Sequence, residues 1–235
     1  AVAMETLEEL GAWLVLDARG RDDVEASPSA CGAPLAAACR RAGVRFAAFS
    51  SARVFGEAAR GRLESHPPAP STRAGRCEVA YERLVADACP EALLLRVGPL
   101  FGDAALDPGV GAALQRLRRG DPVALAAGRS ITPSCADEVA RWAVDLAIGD
   151  TRGVVHLVNA GGPVDATTWL DELAQAVGVG APAGAIARAR AGAANLELEA
   201  QGCLSSERVP ALSDRAEALR RLTADLGRRR DGAAA

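Results

Sequence analysis

Two adjacent serines, Ser50 and Ser51, end an apolar run that has the pattern of a buried strand. About two dozen residues later comes the segment Ala74-Gly75-Arg76-Cys77-Glu78. A serine hydroxyl can hold a ligand oxygen, but the reduction of a carbonyl also needs a group that supplies a proton. The chain has one tyrosine, Tyr81, and its 27 basic side chains are all arginine. The 74–78 segment therefore places neither a tyrosine nor a lysine after the two serines.

The stretch from Val44 to Gly56 resembles the serine-bearing strand end of extended short-chain dehydrogenases/reductases, especially their dTDP-4-dehydrorhamnose reductase branch. The resemblance implies that Ser51 is the catalytic serine and that Ser50 lies beside the cofactor. A helix-capping or loop role is the alternative for Ser51. It also implies that Ala74 replaces the catalytic tyrosine and that Glu78 replaces the lysine that lowers the pKa of that tyrosine. Alanine has no proton to give, and a glutamate raises the pKa of a nearby phenol.

Tyr81 is a poor substitute for the missing tyrosine. It lies about two helical turns beyond Ala74, roughly 10 Å along a helix axis, so we expect it to pack in the core. Compositional bias towards alanine, glycine and arginine is an alternative explanation for the absence of lysine. That bias does not explain an acidic residue at Glu78, where the resemblance calls for a positive charge.

Other segments of the chain also resemble the family, and in the family these segments line the nucleotide site. The segment Trp13 to Gly20 is similar to the family's fourth strand, which implies that Asp17 and Arg19 lie beside the cofactor. Asp17 stands where the family has an asparagine, and Arg19 stands where it has a small residue.

The segment Leu93 to Gly102 is similar to the turn after the family's sixth strand. It implies that Arg96 and Pro99 bind the cofactor and that Phe101 binds the substrate. Arg129 is a further candidate for substrate binding, from the chemistry of its guanidinium group. The two arginines would suit a substrate diphosphate. An ordinary surface position is the alternative for both.

Length and charge narrow the class of protein. The chain has 235 residues and a net charge of −3, which fits one domain and gives no basic surface for nucleic acid. No apolar run approaches the roughly 20 residues that span a bilayer. The six cysteines and two histidines show no zinc-binding spacing. Without a signal peptide before them, the cysteines favour free thiols in the cytoplasm.

Alternating apolar runs and helical patterns predict an α/β fold. We expect a partial Rossmann-like parallel sheet flanked by helices, with a small C-terminal α/β substrate lobe. Residues 1–235 are expected to form one truncated domain, with the sheet-and-helix core in 1–126 and mixed core and lobe in 127–235. The predicted strands are Trp13 to Leu16, Val44 to Phe49, Ala92 to Val97, Val123 to Ala126 and Val154 to Val158; the predicted helices are Glu5 to Leu10, Ala33 to Arg41, Cys77 to Ala88, Val110 to Arg118, Asp137 to Ile148, Thr167 to Ala176 and Asp214 to Leu226; Glu57 to Arg73 and Gly178 to Ala194 are predicted connections.

The resemblance begins at the family's fourth strand, so the glycine-rich turn that binds a dinucleotide is not found in this chain. The strand Trp13 to Leu16 would then lie at an exposed edge of the sheet. We expect this edge to be covered by the chain's own N-terminal residues, paired across a homodimer, or completed by a missing half.

Three functions follow from these patterns. The first is a sugar-nucleotide-binding domain that is non-catalytic by itself and binds no cofactor alone. The second is a component of a nucleotide-sugar reductase or epimerase, which would bind NADP or NAD when a missing N-terminal segment or a partner completes it. In this alternative Ser51 still binds a carbonyl, and water or Glu78 serves as the acid if burial raises the pKa of Glu78. The third is an assembly module that uses the exposed sheet edge. The expected partners are a nucleotide sugar and a homodimer or completing chain, with no nucleic acid and no membrane.

Overall fold

Helices and strands alternate along the chain in a computed structural model that describes residues 2–18, 32–56, 60–102, 107–180, 182, 184–189 and 202–233. The helices are α1 Val2–Glu9, α2 Ala33–Ala42, α3 Arg73–Ala88, α4 Pro108–Arg118, α5 Ala136–Ile148, α6 Ala166–Ala176 and α7 Arg215–Ala233. The strands are β1 Leu14–Asp17, β2 Arg45–Ser51, β3 Leu93–Val97, β4 Leu100–Phe101, β5 Val123–Ala126, β6 Ser130–Ile131, β7 Ser134–Cys135, β8 Gly153–Leu157, β9 Asn159–Ala160, β10 Val164–Asp165, β11 Ile186–Ala189 and β12 Leu212–Asp214.

Four strands form one parallel sheet in the order β1-β2-β3-β8. Successive side chains of a strand point to opposite faces. In β2, Phe46 and Ala48 therefore pack in one apolar cluster with Val85 of α3, whereas Ala47 packs in another with Ala143 of α5. Helices thus cover both faces of the sheet, as parallel sheets require. The predicted α/β fold, a partial Rossmann-like parallel sheet flanked by helices, is confirmed.

A separate apolar core lies in the C-terminal part of the chain and draws on α4, α6 and α7. Leu114 of α4 and Trp169 of α6 are almost completely buried in it. The predicted strand Val123–Ala126 forms β5, but it pairs in parallel with β11 and lies outside the four-stranded sheet. The predicted connection Gly178 to Ala194 therefore contains a strand, because Ile186–Ala189 hydrogen-bonds along the edge of β5.

Helix α3 begins at Arg73, four residues before the predicted start at Cys77. The cause is a hydroxyl cap: the Thr72 side chain accepts a hydrogen bond from the backbone N–H of Gly75 at 3.0 Å. The earlier start puts Ala74 and Glu78 on the same helix, one turn apart.

The two edges of the four-stranded sheet differ. At the β8 edge, the Arg208 guanidinium donates to the backbone oxygen of Val154 at 2.5 Å, and the Glu64 carboxylate accepts from the backbone N–H of His156 at 2.9 Å. These side chains occupy groups that an added strand would need, which is a common way to protect a sheet edge.

At the β1 edge, the backbone groups of Leu14 and Leu16 point away from β2. This follows from the register and from the bond that the Arg45 N–H donates to the Trp13 oxygen. The N-terminal helix α1 packs against α2. Within the described ranges, β1 has β2 as its single neighbour.

Candidate functional site

The candidate site lies at the carboxyl end of β2, where parallel α/β sheets usually bind their ligands. Ser51 ends the strand, and a short 3₁₀ turn, Ala52–Val54, follows it. The Ser51 hydroxyl oxygen accepts from the backbone N–H of Arg53 at 3.2 Å, which caps this turn. The hydroxyl donates to Oε1 of Glu78 at 3.3 Å. The structure thus brings the predicted serine and the predicted lysine position into contact.

Helix α3 approaches the serine turn closely because it has no side chain at Gly75. A Cβ atom at this position would lie 2.2 Å from the backbone oxygen of Arg53, well inside any allowed contact. The neighbouring Ala74 is half-buried and contributes a methyl group, while Glu78 is 4% exposed. The lysine position of the resemblance therefore contacts Ser51 as a buried carboxyl group, and the tyrosine position, one turn earlier on α3, carries only a methyl group.

The adjacent serine makes a matching contact one turn further along α3. The Ser50 hydroxyl donates to Oε1 of Glu82 at 2.6 Å. Arg96 then binds the same carboxylate through two nitrogens, Nε at 2.8 Å and Nη2 at 2.7 Å. All three side chains are buried. Such a bidentate pair satisfies the hydrogen-bonding groups of a carboxylate and a guanidinium in a site that water does not reach.

The buried Arg96 has two further contacts. Its guanidinium carbon lies 5.2 Å from the ring centre of Phe55, a cation–π distance. Its Nη1 lies 3.3 Å from Nε2 of His156. The predicted cofactor role of Arg96 stays a prediction, but its nitrogens already bind protein groups.

The surroundings of His156 determine where its proton lies. Nδ1 is 3.1 Å from the backbone oxygen of Arg62 and 2.8 Å from that of Ser205. Carbonyl oxygens only accept, so Nδ1 carries the proton and Nε2 accepts from Arg96. Burial lowers the pKa of His156, and the Arg96 charge acts in the same direction. The imidazole is therefore held neutral and joins two connecting segments to the sheet.

Sequence reasoning missed both Glu82 and His156 as partners of Arg96. A signal was present for Glu82, since it lies four residues after Glu78 and so on the same side of a helix. No local signal pointed to His156, because its contact with Arg96 spans 60 residues of sequence.

Tyr81 is fully buried, which confirms its predicted packing role. Its hydroxyl donates to Oδ2 of Asp17 at 3.1 Å. A Cβ at Gly32 would lie 2.4 Å from the Tyr81 ring, so the ring fits because this position is glycine. The predicted cofactor role of Asp17 stays a prediction, and Arg19 lies outside the described residues.

The other predicted site residues contact later segments of the chain. The Pro99 backbone oxygen accepts from the N–H of Ser134 at 3.0 Å. Phe101 is fully buried and packs edge-to-face on Trp169, with ring centres 6.1 Å apart. Arg129 is half-buried, and its backbone oxygen accepts from the Ala166 N–H at 2.8 Å. Their predicted roles in binding remain predictions.

Metal chemistry finds no support in the described part of the chain, where no group of three or more His, Cys, Asp or Glu side chains is placed to hold an ion. None of the described helices combines the length and hydropathy that crossing a membrane demands.

Comparison with known proteins bears on the family and the fold of the chain. A probable low-salt glycan biosynthesis reductase, Agl14 of Haloferax volcanii, is 29% identical over 171 residues, which cover 66% of this chain and 57% of the relative. The match thus spans little more than half of that relative. The dTDP-4-dehydrorhamnose reductase of Bacillus anthracis in complex with NADP has a TM-score of 0.79 at 14% identity, over 95% of this chain and 84% of that one.

A second similar structure is MoeE5 in complex with UDP-glucose and NAD, with a TM-score of 0.72 at 19% identity, over 98% of this chain and 83% of that one. At such identities the two structures show a shared fold. The sequence comparison shows the family as well, since the model of the RmlD substrate binding domain matches residues 21–191, well over half of the chain. The chain belongs to the RmlD substrate binding domain family, and the predicted resemblance is confirmed.

Proposed function

We propose that this chain binds a nucleotide sugar and does not by itself reduce it. The observation that carries the proposal is the contact between Ser51 and Glu78, with Ala74 one turn away. Carbonyl reduction needs a proton donor beside the substrate oxygen. Here the serine proton points to a carboxyl group, and position 74 has no proton to offer.

Support for the ligand class comes from the relatives. MoeE5 binds UDP-glucose and NAD, and the Bacillus anthracis reductase binds NADP. We extend the nucleotide-sugar class to this chain and expect it to bind no cofactor alone. Its cytoplasmic location, expected from its cysteines, also stays a prediction.

The test combines turnover with binding. The 235-residue chain is incubated with NADPH and a dTDP-4-keto-6-deoxysugar, with the Bacillus anthracis reductase as the positive control. We expect no loss of absorbance at the reduced-cofactor band, and we expect calorimetry to detect binding of UDP-glucose or dTDP-glucose to the chain. A steady loss of absorbance that disappears in Ser51→Ala would contradict the non-catalytic part, and absence of binding would contradict the rest.

The β1 edge, which has no second neighbouring strand within the described residues, favours a second candidate, a component of an NAD(P)-dependent reductase that is completed by a strand alongside β1. Leu14 and Leu16 are partly exposed on this strand, and the neighbouring Trp13 is 59% exposed. Hydrogen exchange tests this candidate. The amides of Leu14 and Leu16 should exchange at least about tenfold faster than that of Val15, which bonds to β2. Equal protection would mean that the edge is already covered in the isolated chain.

A further inference from the structure

The hydrogen-bonding capacity of Ser51 is almost fully used by the protein. A serine hydroxyl has one proton to donate and two lone pairs to accept with. The proton goes to Oε1 of Glu78, and one lone pair receives the Arg53 N–H. Ser51 is half-buried, so its remaining lone pair is the group that it can offer to a ligand.

The neighbouring serine offers no proton either. The Ser50 hydroxyl donates to Glu82 at 2.6 Å and is buried. Both serine protons at the end of β2 are therefore held by glutamates of α3, and Ala74 adds no donor.

We propose that Glu78 makes Ser51 a hydrogen-bond acceptor towards the ligand, so that the site selects a nucleotide sugar with a hydroxyl group over the one with a ketone at the same carbon. This inference rests on the proposed binding of a nucleotide sugar and specifies which oxidation state of the sugar is bound. An alcohol donates its proton to the Ser51 oxygen. A ketone oxygen only accepts, so it would face a lone pair and lose its own hydrogen bond.

The side chain at position 78 decides where the Ser51 proton goes, because Oε1 of Glu78 is the acceptor of that proton. With lysine or a neutral apolar residue at this position, the Ser51 proton would be released towards the ligand. Glu78 is thus a specificity-determining residue that acts through the orientation of the Ser51 hydroxyl.

The test measures two ligands that differ only at one carbon, dTDP-6-deoxyglucose and its 4-keto derivative, by calorimetry at one pH. For the unmodified chain we expect the alcohol to bind about tenfold tighter or more, the ratio that one hydrogen bond is worth. Glu78→Met keeps a side chain of similar length and replaces the carboxyl group with a thioether, which is only a weak acceptor. In that variant the ratio should fall to about one or reverse. The control Glu91→Met changes an exposed glutamate outside the candidate site and should keep the original ratio.

The outcomes separate the two proposals. If the ketone binds as tightly as the alcohol, or if a folded Glu78→Met variant keeps the original ratio, the selection by Glu78 is overturned while nucleotide-sugar binding stands. If neither ligand binds the unmodified chain, the proposed function itself fails. Should Glu78→Met not fold, Ser51→Ala takes its place: it must abolish the preference for the alcohol, and a retained preference overturns the inference.

Discussion

The two serines at the end of β2 make the same kind of contact with very different surroundings. Ser50 donates to Glu82 at 2.6 Å, and that carboxylate is bound by the buried Arg96. Ser51 donates to Glu78 at 3.3 Å, longer than the 2.5–2.7 Å usual for a hydroxyl on a carboxylate. Ser50 is buried and Ser51 is half-exposed.

The difference separates a fully buried contact from one that is partly open to solvent. The Ser50 contact belongs to a buried network in which Arg96 pairs with Glu82 and also contacts His156 and Phe55. The Ser51 contact joins the half-exposed serine at the carboxyl end of β2 to the buried Glu78, at the end of the sheet where parallel α/β folds usually bind ligands. We expect changes around Ser50 to alter stability, and changes around Ser51 to alter binding.

The largest effect should come from Glu82→Leu, which leaves Arg96 buried without its carboxylate. We expect a loss of about 3–5 kcal/mol in the free energy of unfolding, measured by urea denaturation. The double variant with Arg96→Met removes both charges and should recover most of the loss. A loss below about 1 kcal/mol in the single variant would mean that Arg96 does not depend on this partner.

A smaller effect is expected from Glu78→Met, which removes the longer of the two serine contacts. The same urea experiment should give a loss of less than about 1.5 kcal/mol, the usual range for one hydrogen bond. If this variant were as unstable as Glu82→Leu, the distinction between the two contacts would not hold.

Acidification should destabilise the buried network around Ser50 by protonating His156. Burial lowers the pKa of His156, so the unfolded chain takes up this proton at a higher pH than the folded chain. The neutral imidazole of His156 therefore makes its full contribution to the free energy of unfolding above about pH 6.5. This contribution is lost as the pH falls through the lower pKa of the folded state. Urea denaturation between pH 8 and pH 5 measures this loss, which we rank third because a proton is added and no side chain is removed.

The control for the acid effect is His156→Asn, which retains an N–H near Nδ1 but does not titrate. Its stability should stay flatter from pH 8 to pH 5. Hydrogen bonds from Ser206 and from the backbone of Glu207 and His156 lower the pKa of Glu64, so loss of its contribution belongs below about pH 4.5. A fall of equal size in His156→Asn would assign the effect to other groups.

The smallest effects should come from the serines themselves. Ser50→Ala removes a short buried hydrogen bond and should cost about 1 kcal/mol, while Ser51→Ala should cost about 0.5 kcal/mol or less. Thermal unfolding of the two variants side by side gives the comparison. A reversed order would place the structural contact at Ser51.

Local pattern was a good guide to the framework. The apolar runs predicted β1, β2, β3 and β8 within a residue or two, because buried parallel strands are continuously apolar. Pattern failed at Thr72, where a capping hydrogen bond starts α3 four residues early. It also placed Val123–Ala126 without showing that this strand leaves the main sheet, since pairing partners are set by distant parts of the chain.

The composition alone shows that the chain has no lysine and only one tyrosine. The short spacing after the two serines places Ala74 and Glu78 where reductases of the resembled family have a proton donor and a cation. These are properties of residue identity and short spacing, so they can be read along the chain. The assignment of Arg96 to Glu82 and of the Ser51 proton to Glu78 cannot be read there. Those contacts depend on the order of the strands and on how closely Gly75 lets α3 approach β2, and both follow from packing between distant segments.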